Sequence, residues 1–252
     1  MIEPTDQDQR LELTGRIVSA SNGTFLGEIG SQPVVYKPQA GEVPLWDFPD
    51  GTLANREIAA YELSDLLGWN LVPHTWWGSG PFGPGMLQDW QEPESEHPVD
   101  LVPAGQAPPH MLPVFEGVGA QGEPVELVHQ DSQILRQIAL FDLLVNNADR
   151  KGGHLLPMAD GHCYAIDHGL TFHAQPKLRT VLWGWRGEAF TDAELAALTG
   201  LERYWDDVLA RLAPLLSTAE TTALSERCHQ LLAMRHFPSP HVGAPAIPWP
   251  PF

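Results

Sequence analysis

The sequence predicts an α+β protein of two lobes, a small β-rich N-terminal lobe and a mostly helical C-terminal lobe. Three observations point there. Short β-type runs broken by turn residues fill positions 11–38, helical patterning dominates from about residue 128, and a stretch rich in Pro, Gly and acid separates the two. The expected division is 1–92 for the N-lobe, 93–236 for the C-lobe and 237–252 for a proline-rich tail.

The elements follow in order. Residues 1–10 are polar and acidic and read as a loose leader. Leu11–Ala20, Phe25–Ile29 and Pro33–Lys37 read as a three-stranded meander, with Ser21-Asn22-Gly23-Thr24 as a turn. Leu53–Leu67 predicts a helix that Thr52 can cap and Gly68 can end. Residues 71–77 and 85–91 predict two more strands, and 92–124 a long insert or mobile loop. A helix from about Val128 to Leu144, short strands near 154–157 and 163–166, and helices near 192–199, 201–213 and 218–234 complete the chain. The tail has six prolines in its last fifteen residues and is expected to be extended.

Bulk properties narrow the function. The chain is 43% hydrophobic, which supplies a sizeable core. A net charge of −18 disfavours nucleic acid and anionic membrane surfaces as partners. No run approaches the roughly 18 apolar residues of a membrane span, so no integral membrane contact is expected. Cys163 and Cys228 give neither a disulfide framework nor zinc spacing. A cytoplasmic protein is the expectation.

Four places carry the parts that phosphoryl transfer from ATP requires: a cation for the phosphates, a carboxylate for the acceptor hydroxyl, and metal ligands. Lys37 ends the apolar run Val34-Val35-Tyr36 and can meet phosphates as a point charge. Glu57, with Glu62 as its competitor one turn on, lies on the first helix where it can pair with Lys37. The polar run Asn146-Asn147-Ala148-Asp149-Arg150-Lys151-Gly152-Gly153-His154 follows an amphipathic helix and presents Asp149 to a cleft. Eighteen residues after Asp149, the strand Tyr164-Ala165-Ile166 ends in Asp167-His168-Gly169, where Asp167 can bridge a divalent metal to phosphates.

This set resembles the phosphatidylinositol 3- and 4-kinase-like superfamily, which includes the HipA-type bacterial kinases. More narrowly, it resembles a group of actinobacterial kinase-like proteins of uncharacterised function. The strings 145–154 and 166–169 are the most specific part, and the resemblance covers roughly residues 11–215. It implies a two-lobed protein-kinase-like fold and an ATP-dependent kinase using Mg²⁺ or Mn²⁺. The implied acceptor is a hydroxyl of unknown identity: a protein, a small molecule or an inositol-type head group. A nucleotide-binding pseudokinase is the alternative.

The resemblance also assigns roles. Asp149 is the catalytic carboxylate. Lys37, Glu57, the turn residues Ser21, Asn22 and Gly23, and the hinge residues Gln88 and Asp89 are nucleotide-binding. Asp167 is implied as a metal ligand, and the second metal position is taken by His154, which stands at the spacing where kinases place an asparagine, unless Asn147 supplies it from the other side. An imidazole in that place favours Mn²⁺ and must be neutral to ligate, with an ordinary pKa near 6.5. Lys177, Arg179 and Arg186 concentrate positive charge after Asp167 and form a candidate acceptor loop for an anionic group.

Overall fold

Period-two alternation builds the N-terminal sheet. In β3 (Gln32–Pro38), Val34 and Tyr36 point to one buried face while Val35 and Lys37 point to the other. β1 (Leu11–Arg16), β2 (Phe25–Ile29) and β3 form the expected meander, β2 and β3 joined by a two-residue turn in which Gly30 takes φ +65°. The computed structural model describes residues 10–17, 22–43, 45, 47, 48, 52–241, 243 and 245–252. Ser21, expected to help cover nucleotide, lies outside the described residues.

α1 (Leu53–Leu66) follows, then β4 (Thr75–Gly80) and β5 (Gly83–Asp89), which extend the meander to a five-stranded antiparallel sheet of order β1-β2-β3-β5-β4. Leu11, Val34, Tyr36 and Leu87 fill one face of it. α1 lies on the other face, where Ala54 and Ile58 meet Met86. Its N-terminus is capped differently from expectation. Thr52 makes no side-chain cap, and the Glu42 carboxylate instead accepts from the amides of Leu53 and Ala54 at 3.1 and 2.9 Å. A carboxylate with two oxygens satisfies two orphan donors of the first turn and suits the helix dipole. Gly68, at φ +66°, ends the helix as predicted.

Residues 92–124 are not a long loop. They supply β6 (Val99–Pro103) and β7 (Met111–Val118), which pair with β8 (Pro124–Gln130) in an antiparallel sheet of order β6-β8-β7. The prolines are compatible with strand because Pro103 ends β6, Pro124 begins β8, and Pro113 sits at a register shift in β7. The helix expected from Val128 therefore starts later. Val125, Leu127 and Val128 belong to β8, Ser132 caps the turn, and α2 runs Gln133–Val145. It stops at Asn146, which adopts a left-handed conformation.

β9 (Leu155–Pro157) and β10 (Cys163–Ala165) form a hairpin. α3 (Asp192–Arg203), α4 (Trp205–Leu212) and α5 (Thr218–Met234) finish the helical part, α3 and α5 each opened by a capping box, Thr191 with Glu194 and Ser217 with Glu220. The main core lies among the helices, with Leu63, Ile138, Leu140, Phe141, Leu144, Leu198, Leu212 and Leu224 fully buried or nearly so. Among the described residues no helix is long and apolar enough to cross a membrane. The fold class is α+β, with a β-rich N-terminal region and a helical C-terminal part.

The proline-rich tail packs against the rest of the protein: the Ala246 carbonyl accepts from the Thr180 amide and the Trp183 indole, and the Pro251 carbonyl accepts from the Gly152 amide. Ile247 packs on the main core.

Candidate active site

β3 delivers Lys37 to the α1 side of the sheet, and α1 presents Glu57 to it. Their charged atoms are 2.5 Å apart, with Glu57 2% exposed. The competitor Glu62 pairs with Arg211 on α4 instead. Lys37 also reaches Asp167 at 2.8 Å. Glu57 spends its second oxygen on the His168 amide, at 2.8 Å. One buried carboxylate thus fixes both the lysine and the backbone just after Asp167. Burial opposes the Lys37 ammonium, but Asp167 and Glu57 outweigh it and hold its pKa above the usual lysine value. Burial pushes the Glu57 carboxyl up, against the pull of Lys37.

Asp167 follows β10 with φ +61°, a left-handed conformation that costs a non-glycine residue about 1 kcal/mol or more. The Glu57 bond to the next amide helps hold it there. The side chain keeps 47% of its surface open to the cleft. The Lys37 ammonium holds its carboxyl well below the usual range, against the effect of crowding by protein. His154 Nε2 lies 3.3 Å from its other oxygen. The β9–β10 hairpin explains that contact: the Ile166 amide donates to the His154 carbonyl at 3.0 Å, so the ends of the two strands meet. Burial pushes the His154 imidazole down to about 4, so it is neutral at physiological pH. The value of 6.5 expected from an ordinary histidine does not hold here.

Asp149 faces the same cleft as Lys37, Glu57 and Asp167, together with Asn22 and Gly23. Burial raises its pKa, Lys151 at 3.5 Å lowers it, and the Asp167 charge raises it again. Asn147 lies on the inner side of the loop. Its amide accepts from the Asp149 backbone and donates to Asp142, and it is 1% exposed. Gln88 is buried against the Thr75 hydroxyl, and Asp89 bonds Gln32. Neither lines the cleft that holds Lys37.

The three cations of 177–186 diverge. Lys177 pairs with Asp47 at 3.1 Å. Arg186 donates to the carbonyls of Pro113 and Trp183. Arg179 contributes main chain: its amide donates to the Asn147 carbonyl, and its own carbonyl accepts from Arg150.

Beneath the cleft lies a buried network that motif reading missed. Arg150 is fully buried. Its guanidinium bonds both oxygens of Asp142 on α2, the Ile166 carbonyl at 2.8 Å and His168 Nε2 at 2.7 Å. Thr180 adds a bond to Asp142 at 3.0 Å. This arginine ties the Asp149 loop directly to the turn around Asp167, and ties both to α2 through Asp142. The available signal was Asp142 itself, a charge inside the apolar run Leu140-Phe141-Asp142-Leu143-Leu144.

The donors suit a divalent ion that takes most of its ligands from phosphate and water. Asp167 is a hard, charged oxygen donor open to the cleft; the neutral His154 accepts from the Lys151 amide at Nδ1, so its Nε2 carries the proton towards Asp167 and would give that proton up to ligate a metal. Among the described residues no group of three His, Cys, Asp or Glu is arranged to hold a metal by itself.

No family model matches the chain. It is similar to Protein Rv2133c of Mycobacterium tuberculosis (strain ATCC 25618 / H37Rv), 49% identical over 260 residues, covering 97% of this chain and 93% of that protein. Among solved structures it is similar to the Helicobacter pylori proinflammatory kinase CtkA, with a TM-score of 0.46, 11% identity, and coverage of 91% and 93% of the two chains. It is also similar to a chain of the Shewanella oneidensis MR-1 toxin–antitoxin complex of HipA, HipB and operator DNA, with a TM-score of 0.36 and 14% identity over 88% of this chain and 65% of that one. By its identity to Rv2133c across nearly the whole of both sequences, the chain belongs to the same family as that mycobacterial protein.

Proposed function

We propose that the protein is an ATP-dependent phosphotransferase of the phosphatidylinositol-kinase-like type, passing the γ-phosphate to a hydroxyl acceptor on a protein, a small molecule or an inositol-type head group. The observation that carries this reading is the bridging of Lys37 by Glu57 and Asp167 on the wall of a cleft that Asp149 also faces. Lys37 would bind the phosphates, its ammonium kept charged by two carboxylates. Asn22 and Gly23, from the β1–β2 connection, would cover them. Asp149 would accept the acceptor's proton, a role that its raised pKa suits. Asp167, with His154 beside it, would hold Mg²⁺ or Mn²⁺, which would neutralise phosphate charge.

A second reading, a nucleotide-binding pseudokinase, draws support from Asn147. That amide is turned inward onto Asp142 and the Asp149 backbone and is not offered to a metal. Incubating the protein with γ-labelled ATP and each divalent ion separates the two. Label transfer or hydrolysis favours the enzyme. Metal-dependent nucleotide binding without either favours the pseudokinase.

A further inference from the structure

The segment 245–252 crosses the loop that carries Asp149 and His154, and nothing in the proposed chemistry uses it. Gly152–His154 form one turn of 3-10 helix, held by the His154 amide on the Lys151 carbonyl at 3.2 Å and the Lys151 amide on His154 Nδ1 at 3.5 Å. Two adjacent glycines weaken that short turn, because each leaves the backbone more freedom than any other residue. A further restraint comes from the tail. The Gly152 amide donates to the Pro251 carbonyl at 2.8 Å. The Phe252 ring lies over Gly152 so closely that a Cβ there would come within 2.8 and 2.9 Å of its edge carbons, and within 3.2 Å of the Val99 side chain. Only glycine lets the strap seat without displacement. Upstream, Ala246 accepts from the Thr180 amide at 3.0 Å and from the Trp183 indole at 2.9 Å. Thr180 and Val181 bridge to Arg150, the residue after Asp149. The strap therefore grips both the Asp149–His154 loop and the 179–183 segment that braces it.

We infer that Phe252 and Gly152 are positioning residues for phosphoryl transfer, the aromatic strap holding the Asp149–His154 loop in the geometry in which both side chains face Asp167 and the cleft. The inference rests on the phosphotransfer reading. Phe252 does not line the cleft, and its ring lies against Gly152, so it acts through the loop backbone. A small misplacement of a reacting group is costly in rate, whereas ATP phosphates gripped by Lys37 would be little affected.

The test uses the full chain with Phe252→Ala, Phe252→Tyr, Gly152→Ala and the Gly152→Ala/Phe252→Ala double variant. Two readouts are taken: amide hydrogen exchange across residues 150–154, and turnover of γ-labelled ATP with Mn²⁺ or Mg²⁺. Phe252→Ala is expected to speed exchange of the Gly152 amide and to lower kcat about tenfold, with KM for ATP nearly unchanged. Phe252→Tyr, which keeps the ring, should restore both. Gly152→Ala should resemble Phe252→Ala, and the double variant should be no worse than either single one, because each breaks the same contact. Unchanged exchange in Phe252→Ala overturns the strap. Faster exchange with unaltered kcat, or effects that simply add in the double variant, overturns the positioning role. Wild-type protein that shows no turnover but a protected Gly152 amide counts against the phosphotransfer reading and removes the positioning role with it.

Discussion

The Lys37 ammonium lies 2.8 Å from the Asp167 carboxylate, joining β3 to the end of β10 across 130 positions of sequence. Glu57 closes the arrangement by holding Lys37 with one oxygen and the His168 amide with the other. The cation is thus pre-positioned over the cleft before any ligand arrives. Replacing Lys37 by Met removes the cation and leaves Glu57 buried without its partner. Nucleotide affinity or turnover is expected to fall tenfold or more, about 1.4 kcal/mol, measured by titration calorimetry and steady-state assay. Unchanged values in a folded variant would take this pair out of the site.

Arg150 is expected to dominate local stability. Its guanidinium is wholly buried and bonds Asp142, Ile166 and His168. Arg150→Met leaves the Asp142 charge buried with its principal partner gone, a loss of roughly 3–5 kcal/mol. Arg150→Lys should rescue little, because an ammonium cannot reproduce the fork that meets both Asp142 oxygens. Urea denaturation of the two variants measures this, and a lysine variant as stable as wild type would contradict it.

Three buried histidines predict acid sensitivity. Burial pushes both His154 and His129 down to about 4 in the folded protein, against about 6.5 unfolded, and burial with Arg150 holds His168 well below its ordinary value too. Between those values the unfolded state binds more protons, so stability is complete above about 6.5 and is lost as pH falls towards 4. His154 and His129 each contribute up to about 3 kcal/mol. Melting temperature should fall between pH 7 and 5, and His154→Asn should flatten that slope. A slope identical in the variant would remove His154 from the effect.

The same imidazole bears on metal choice. A neutral nitrogen beside Asp167 suits Mn²⁺ better than Mg²⁺, and an amide oxygen reverses that preference. His154→Asn is expected to shift the ratio of activities towards Mg²⁺. Because the imidazole stays neutral down to about pH 4, metal use should not weaken between pH 7 and 6 as an ordinary histidine would require. An unaltered Mn²⁺-to-Mg²⁺ ratio would leave His154 as a structural neighbour of Asp167.

How far the sequence revealed the molecule varied with the range of the interactions involved. Lys37 was legible because strict alternation in Val34-Val35-Tyr36-Lys37 sets which face each side chain takes. The starts of α3 and α5 fall where expected, but α3 continues through Gly200 to Arg203, past the break expected between 199 and 201, because a single glycine weakens a helix without ending it. Val125, Leu127 and Val128 were ambiguous, since a short apolar run fits a strand edge or a helix face equally, and the Ser132 cap decides for a later helix start. The β6–β8 sheet was hidden by prolines that stand at strand ends and a register shift. The strap was invisible because its bonds use main-chain carbonyls, which every residue carries. In the candidate site, the loop and strand-end motifs pointed to Asp149 and Asp167, but the inward turn of Asn147 and the Arg150 network depend on contacts with α2 and with segment 179–181 that no local pattern records.

In the proposed function Asp149 and Asp167 serve different steps at one cleft. Metal-dependent ATP binding and γ-label transfer, measured side by side for wild type, Asp149→Asn and Asp167→Asn, test it most directly. Wild type is expected to bind and transfer. Asp149→Asn should keep nucleotide affinity while losing about 10²–10⁴ in transfer, the usual contribution of a positioned base. Asp167→Asn should lose the metal dependence of binding itself. Transfer by Asp149→Asn at the wild-type rate, or metal-independent binding already present in wild type, would rule out this division of roles.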